Sequence, residues 1–302
     1  MNKFLVKATL FALVIWGIDA ALDPIFQYLV SHAKGGDTKR IEYICCQTSE
    51  DLLIFGSSRA IHHYDPFLLE DSLNLSCHNC GKNGNGIILF YGWYKMIQKR
   101  YSPSCILYEV TPNFDLLASD NTTYLPGLRY WYNDYPEIDS IFWKVDSNER
   151  YKMRLTSYRY NSQFLQLIMD NIKPLRHDAK GYRPLQGEIP YEPPVSYDNN
   201  KEHVYDTLKL YYLERLVQDC QHFGTKLIFA ASPLYKNTND PHIFAPIKIL
   251  CANYGIPFIN HYNDTTFNNE KSYFKDRVHM NQKGAETYTQ AIIKELRHYL
   301  LE

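Results

Sequence analysis

The sequence lacks an excess of charge of either sign, and this argues against a whole class of partners. Its 302 residues include 32 basic and 33 acidic side chains, a formal net charge of -1. A domain that binds nucleic-acid phosphates normally carries a clear basic excess, so we expect no nucleic-acid partner. Seven cysteines are too few for a disulfide scaffold, and the odd number leaves at least one thiol free.

Nucleotide and metal motifs are also missing. The sequence contains neither a P-loop nor a G-x-G-x-x-G, so nothing predicts a nucleotide cofactor. Cys77 and Cys80 form a single C-x-x-C without a second pair, which is a weak zinc signal. His62 and His63 lack a carboxylate at a ligand spacing. We therefore expect a protein that works without a metal or a cofactor.

The sequence does have an apolar segment near its start. Lys3 and Lys7 precede an uncharged run of 11 residues, 8–18, and Asp19 follows it. This order is typical of a signal anchor, although a clean span needs roughly 20 residues. We interpret residues 1–30 as an uncleaved anchor, with a cleaved signal peptide or an amphipathic helix packed on the domain as alternatives. The lysines would keep the start of the chain cytoplasmic, so the body would lie on the periplasmic, extracytoplasmic side of the inner membrane.

Beyond residues 31–50, which we interpret as a linker leading into the domain, short apolar runs alternate with helical patterns. Alternation of this kind implies a parallel sheet covered on both faces. Residues 51–302 are thus expected to form an α/β domain, a three-layer α/β/α sandwich around a parallel sheet of about five strands. The predicted strands are 52–55, 106–110, 226–231 and 257–260, with a weaker candidate at 73–77, and the predicted helices are 201–223, 242–254 and 282–301.

An insertion is expected between the second and third of the strong strands, at about residues 116–200, because that connection is too long for one crossover. It contains an aromatic stretch, 124–143, and a helical pattern over 148–172. Aromatic rings such as Trp131 and Trp143 could stack against sugars, or they could pack the insertion against the sheet.

A block of small residues follows the first predicted strand. Gly56, Ser57 and Ser58 form a turn that would expose side chains at the carboxyl edge of the sheet, where open α/β sheets bind ligands. A serine there could act as a nucleophile, or it could cap the next helix.

A second block, Asp276 to His279, precedes the last predicted helix. A serine hydroxyl needs a base, imidazole is the usual one, and a carboxylate fixes its tautomer. The alternative is a surface turn in which Asn281 caps the helix.

Together the two blocks resemble those of the SGNH (GDSL-like) hydrolases, in which a serine follows the first strand and an Asp-x-x-His lies near the C-terminus. The resemblance implies a flavodoxin-like SGNH fold, with Ser58 as the catalytic nucleophile, His279 as the base and Asp276 as its partner. It covers roughly residues 51–113 and 226–300. The Gly-Ser-Ser start, where Ser57 replaces the usual aspartate, also resembles membrane-anchored, bacterial cell-envelope members that act in O-acylation of surface polymers.

The resemblance further implies oxyanion-hole donors. Gly81 stands where the family has a second-block glycine, with Gly84 as the alternative. Asn113 stands near the third-block asparagine, although the glycine before it is missing. Arg59 could bind a substrate anion or pair with a carboxylate.

The implied function is that of a serine-dependent esterase acting on an acylated cell-envelope glycan or a similar ester. One alternative is an O-acyltransferase of the same fold, in which a sugar hydroxyl replaces water. The other is a catalytically silent envelope protein that binds glycan through its aromatic insertion.

Overall fold

A computed structural model describes residues 2–174, 179–192, 203–236 and 242–301. Short 3₁₀ helices lie at Asn121–Trp131, Asn161–Gln163 and Lys271–Tyr273. The strands are β1 (Leu52–Gly56), β2 (Cys77–Asn79), β3 (Cys105–Glu109), β4 (Lys226–Ala231) and β5 (Phe258–Asn260). The α-helices are α1 (Asn2–Ser31), α2 (Gly36–Cys46), α3 (Ser58–His63), α4 (Pro66–Leu73), α5 (Ile87–Gln98), α6 (Pro112–Asp115), α7 (Pro136–Val145), α8 (Glu149–Lys152), α9 (Thr156–Tyr160), α10 (Phe164–Ile172), α11 (Thr207–Phe223), α12 (Ala245–Tyr254), α13 (Thr265–Asn268) and α14 (Gln282–Leu301).

The chain divides into two compact units. Unit 1 contains Met1–Gln47 and Asn121–Arg176, and unit 2 contains Thr48–Asp120 and His177–Glu302. The sequence predicted an insertion at about residues 116–200, but it did not predict that most of this insertion forms one unit with the N-terminal segment.

Unit 2 is built on a five-stranded parallel sheet in the order β2-β1-β3-β4-β5. This is the flavodoxin-like order, in which the chain direction across the sheet reverses between β1 and β3. The carboxyl ends of those two strands therefore border the crevice where such sheets bind ligands. The predicted fold class is confirmed.

Side chains along the strands alternate between the two faces, as the period of two in a strand requires. On one face, buried residues such as Leu52, Leu107 and Ile228 join a core with α3, α4 and α14. On the other face, Phe55 and Tyr108 contact Phe90 of α5, and α11 packs beside α5. The result is the three-layer sandwich.

Several boundaries differ from those predicted. The weak strand at 73–77 lies instead at Cys77–Asn79, because Leu73 still belongs to α4 and Asn74 closes that helix in the left-handed region, with φ 54°. The first two positions of the helix predicted over 201–223 lie outside the described residues. The helix begins at Thr207, after Asp206, whose carboxylate accepts hydrogen bonds from the main-chain N–H groups of Leu208 and Lys209. A capping aspartate, rather than the start of the apolar stripe, sets that boundary.

Unit 1 corrects two other expectations. The segment predicted as a linker, 31–50, carries α2, because Ile41, Ile44 and Cys45 are buried. The helical pattern over 148–172 is broken at Leu155, where the backbone is extended, and a new helix starts at Thr156. The Asp19 carboxylate accepts hydrogen bonds from the N–H groups of Thr156 and Ser157 at 2.7 and 2.8 Å, so a residue of α1 caps α9.

The long helix α1 has two differently surrounded parts. From Phe4 to Ile18 every side chain is exposed, including the rings of Phe11 and Trp16 at 67% and 59%. From Asp19 onward the helix packs within unit 1, and Phe26 and Val30 are buried. Within the described ranges, Lys3–Ser31 is the one helix long and apolar enough to cross a membrane.

Candidate active site

The turn after β1 positions the first candidate residue. Gly56 has a φ of 136°, and a Cβ there would lie 2.6 Å from the carbonyl oxygen of Glu109, so this position favours glycine. The chain then enters α3, whose first residue is Ser58. Ser57 makes no capping hydrogen bond. Its hydroxyl instead lies 3.0 Å from the hydroxyl of Thr111.

The structure brings Ser58, His279 and Asp276 together. His279 Nε2 lies 2.7 Å from Ser58 Oγ, and His279 Nδ1 lies 2.9 Å from Asp276 Oδ2. A carboxylate only accepts hydrogen bonds, so Nδ1 carries the proton and Nε2 is left to accept one from the serine hydroxyl. Ser58 and His279 are both partly exposed. The arrangement can therefore move a proton from the hydroxyl to the imidazole at a solvent-accessible position.

A tight turn holds Asp276 in place. Its Oδ1 accepts hydrogen bonds from the main-chain N–H groups of Val278 and His279 at 2.8 and 2.9 Å. Burial raises the pKa of Asp276, but the hydrogen bond from the His279 side chain and those from the turn outweigh it. The net pKa lies below its ordinary value. The Asp276 carboxylate is therefore ionised at neutral pH, where it can stabilise the protonated His279 ring. Asn281 also caps α14, since its Oδ1 accepts from Gly284 N at 3.0 Å, so the turn holds the Asp276–His279 pair and also has the capping role that was the alternative.

A second imidazole borders this pair. His62 lies one helical turn beyond Ser58 on α3, and its ring meets that of His279 edge-on at 5.4 Å between centroids. His62 Nδ1 lies 2.6 Å from the carbonyl oxygen of Arg183, so Nδ1 carries the proton. Burial lowers the pKa of His62, so the ring is neutral at neutral pH. The segment that supplies this carbonyl, 179–192, was not predicted to border the site.

The two expected oxyanion donors, Gly81 and Asn113, differ in whether they already have a hydrogen-bond acceptor. The Gly81 N–H already donates to Asn79 Oδ1 at 3.1 Å, so it is not free to bind an oxyanion. A Cβ at Gly81 would lie 2.9 Å from both Ala60 Cβ and Ile61 N, and this close packing explains the glycine. Asn113 is exposed, and its side chain has no hydrogen-bond partner among the described residues. The structure therefore corrects the expectation for Gly81 and leaves the Asn113 amide available.

Arg59 is a structural residue rather than a substrate ligand. It is 3% exposed, and its Nη2 lies 3.1 Å from Glu109 Oε1. The same guanidinium donates to the hydroxyl and the carbonyl oxygen of Ser232 and lies over the ring of Tyr262. Its donors are directed into the interior, so the structure contradicts the substrate-binding expectation and agrees with the pairing alternative.

Sequence reasoning missed the polar cluster beneath the site. Glu109 ends β3, Ser232 follows β4, and His63 ends α3, and all three side chains are buried. Glu109 accepts hydrogen bonds from the Ser232 hydroxyl and from Tyr64 Oη. The signal was available, because the rule that singled out Ser57 and Ser58 applies equally to polar residues at the ends of other buried strands.

The aromatic residues considered for sugar stacking mostly pack inside unit 1. Tyr130, Trp131 and Tyr132 are buried, and the Tyr130 ring stacks on that of Tyr160 with centroids 5.7 Å apart. Trp143 keeps 41% of its surface exposed, but its Nε1 donates to Tyr132 Oη. These rings pack against one another, and Tyr130, Trp131 and Tyr160 also line a cavity of about 430 Å³ within unit 1.

Comparisons with known proteins find similarity only among solved structures. No protein-family model matches the chain, and no curated protein matches it. An acetyl xylan esterase is 12% identical with a TM-score of 0.42, covering 81% of this chain and 99% of its own. A Streptococcus pneumonia protein provisionally described as a platelet activating factor is 12% identical with a TM-score of 0.43, covering 95% and 99%. A Bacteroides fragilis protein provisionally described as an acylhydrolase is 10% identical with a TM-score of 0.43, covering 87% and 97%.

Proposed function

We propose that this protein is a serine-dependent ester hydrolase that uses Ser58, His279 and Asp276. The observation that carries the proposal is the 2.7 Å distance between Ser58 Oγ and His279 Nε2, with Asp276 holding the other ring nitrogen. A serine, a base and an orienting carboxylate in this order are the parts that acyl transfer requires.

The steps of the reaction follow from the tautomer of His279, in which Nδ1 carries the proton and Nε2 can accept one. Ser58 Oγ attacks the ester carbonyl carbon while its proton passes to His279 Nε2, and Asp276 stabilises the resulting imidazolium. The tetrahedral intermediate then expels the alcohol, which takes that proton and leaves an acyl-serine. Water attacks the acyl-serine through the same base, and the acid and free Ser58 are released.

Oxyanion stabilisation is assigned to donors that are still free. The Ser58 N–H lies at the start of α3, where helical N–H groups have no partner within the helix. The Asn113 amide stays a prediction from the family resemblance, supported by its lack of a hydrogen-bond partner among the described residues. Each such donor is typically worth about 10²–10³ in rate.

The location and the substrate belong to the same proposal. Residues 4–18 form an exposed, apolar helical segment, which supports insertion into a membrane, and the Asp19 cap on α9 supports an anchor that is not cleaved. Lys3 and Lys7 support a cytoplasmic start and an extracytoplasmic body. That location suits an ester on an acylated cell-envelope glycan. The silent glycan-binding alternative would place the sugar in the cavity of unit 1 that Tyr130 and Trp131 line.

A fluorophosphonate probe tests the nucleophile in the full-length chain. We expect labelling of the wild-type protein, loss of labelling in Ser58→Ala, and retained labelling in Ser57→Ala, because Ser57 is the adjacent buried serine and does not contact His279. Labelling that survives Ser58→Ala, or no labelling of the wild type, would overturn the proposal.

A second experiment separates hydrolysis from acyl transfer. An activated acetyl ester is supplied with and without a polysaccharide acceptor, and free acetate and acylated polymer are both measured. Acetate release without the acceptor supports the hydrolase. Product that forms only with the acceptor would instead identify the O-acyltransferase alternative.

A further inference from the structure

The base of the proposed site is tied to a buried chain of hydrogen bonds that begins one residue after it. The main-chain N–H of Met280, which follows His279, donates to His63 Nε2 at 2.9 Å. An N–H can only donate, so His63 Nε2 bears no proton, and the proton of the neutral ring lies on Nδ1. His63 Nδ1 in turn lies 2.7 Å from the hydroxyl of Ser232.

Glu109 lies at the far end of this chain of hydrogen bonds. Because its carboxylate only accepts, it fixes the direction of each bond in the chain. The Ser232 hydroxyl has one proton, which it donates to Glu109 Oε1 at 2.9 Å. It therefore accepts from His63 Nδ1–H and from the Arg59 guanidinium, whose Nη2 and Nε lie 3.0 and 3.3 Å from it. The Ser232 oxygen thus has one proton to donate and two lone pairs to accept, and all three are used.

The surroundings of His63 keep its ring neutral. Its side chain is fully buried, and its neighbours include the cationic Arg59 and the imidazoles of His62 and His279. Burial first, and these groups after it, lower the pKa of His63 well below its usual value. The Glu109 carboxylate already pairs with Arg59 and accepts hydrogen bonds from the hydroxyls of Ser232 and Tyr64, so it does not pair with a protonated His63 ring.

Helix α3 therefore carries the nucleophile and also anchors the loop that carries the base. Its first residue is Ser58 and its last is His63, so one six-residue helix carries the nucleophile and the acceptor that holds the base-bearing loop. A shift of the Met280 main chain would carry the adjacent His279 imidazole away from Ser58 Oγ.

We propose that His63 is a positioning residue whose Nδ1-protonated ring, held by Ser232 and Glu109, places the His279 loop through the Met280 N–H. This inference rests on the proposed function, because it concerns the reach of His279 to Ser58. It assigns His63 no contact with the substrate.

Two substitutions of His63 each keep one of the two hydrogen bonds that its ring makes. In His63→Asn the side-chain amide can stand where Nδ1 stands and donate to Ser232, but it cannot reach Met280. In His63→Gln the carbonyl oxygen can stand where Nε2 stands and accept from Met280. Thr289→Val is the matched control, because Thr289 is buried and donates to the main-chain oxygen of His63 without contacting its ring.

The rate of fluorophosphonate labelling is measured in the full-length chain. Leaving the buried Met280 N–H unpaired is expected to slow labelling of His63→Asn about 10- to 100-fold. We expect His63→Gln to stay within about threefold of the wild type, and Thr289→Val within about twofold, because both keep an acceptor for Met280. Equal losses in the asparagine and glutamine variants would overturn the inference.

Nitrogen NMR of ¹⁵N-histidine-labelled protein provides a readout that does not depend on activity. The wild type should show His63 protonated at Nδ1 and not at Nε2, and the His279 resonances should move in His63→Asn but not in Thr289→Val. A His63 proton on Nε2, or unmoved His279 resonances, would overturn the inference. Expected spectra without wild-type labelling would support the positioning while overturning the proposed hydrolase.

Discussion

His279 Nδ1 lies 2.9 Å from Asp276 Oδ2, and the two residues are joined within a single turn of the chain. The same carboxylate accepts hydrogen bonds from two main-chain N–H groups of that turn. The loop that carries the imidazole therefore also fixes the orientation of the ring. Orientation and tautomer are thus set locally, whereas Ser58 comes from α3, a distant part of the chain that packs against α14.

Asp276→Asn is expected to lower kcat for an activated ester by about 10²- to 10⁴-fold, because the amide removes the charge that stabilises the imidazolium and allows the wrong tautomer. Asp264→Asn is the matched control. Asp264 also accepts a main-chain N–H two residues ahead, at 2.8 Å, and it is not part of the site. A loss of similar size in both variants would contradict the orienting role.

The pH dependence of this carboxylate has a definite sign. Since the pKa of Asp276 is below its ordinary value, its contribution is complete above about pH 4 and is lost only as the pH falls through that lowered value. An acid limb of the kcat profile above pH 5 would therefore come from another group. A carbon NMR titration of the Asp276 carboxyl checks the assignment directly, and a midpoint at or above its ordinary pKa would contradict it.

Much of this site could be predicted because its residues sit at strand ends. The strands β1, β3 and β4 are short apolar runs, and the rule that ligands bind beyond the carboxyl ends of parallel strands pointed to Ser58. The block from Asp276 to His279 is local in sequence, so its geometry follows from one turn. Strand β2 was misplaced because it has only three residues and little periodicity.

The long-range contacts could not be predicted, for a physical reason. Met280 and His63 are 217 positions apart, and Thr156 and Asp19 are 137 apart. Neither pair produces a local pattern, because each hydrogen bond joins one side chain to one main-chain N–H. The partner of Arg59 was equally hidden, since a buried arginine and a surface arginine look the same in a sequence.

Arg59→Met is expected to lower the free energy of unfolding by about 3–5 kcal/mol, because it leaves the buried Glu109 carboxylate without its cationic partner. Arg59→Lys should recover only part of this, since an ammonium cannot reproduce the planar set of donors. Urea denaturation checks the values, with the exposed Arg297→Met as a control expected to change stability by about 0.5 kcal/mol or less. A raised KM with unchanged stability would instead restore the substrate-binding interpretation of Arg59.

Stability is expected to fall as the pH drops from about 7 to 5. His62 and His63 have pKa values lowered by burial, so below about pH 6.5 the unfolded chain binds protons that the folded chain does not. Each such histidine contributes a slope of up to about 1.4 kcal/mol per pH unit, until the pH reaches its folded-state pKa. Denaturation at several pH values should give a shallower slope for His63→Gln than for the wild type, and an identical slope would contradict neutral burial of His63.

The last prediction concerns the two parts of α1. Deleting residues 3–17 removes only exposed side chains, so the protein should leave the membrane fraction and keep its unit 1 fold. Asp19→Ala, in contrast, removes the cap of α9 and is expected to cost about 0.5–2 kcal/mol in unit 1. Hydrogen exchange measures both effects, because lost capping should lower the protection of the α9 amides while those of β1 and β3 are unchanged. If mass spectrometry of the native protein found its first residue beyond Asp19, the helix would be a cleaved signal peptide, and the cap would not exist in the mature chain.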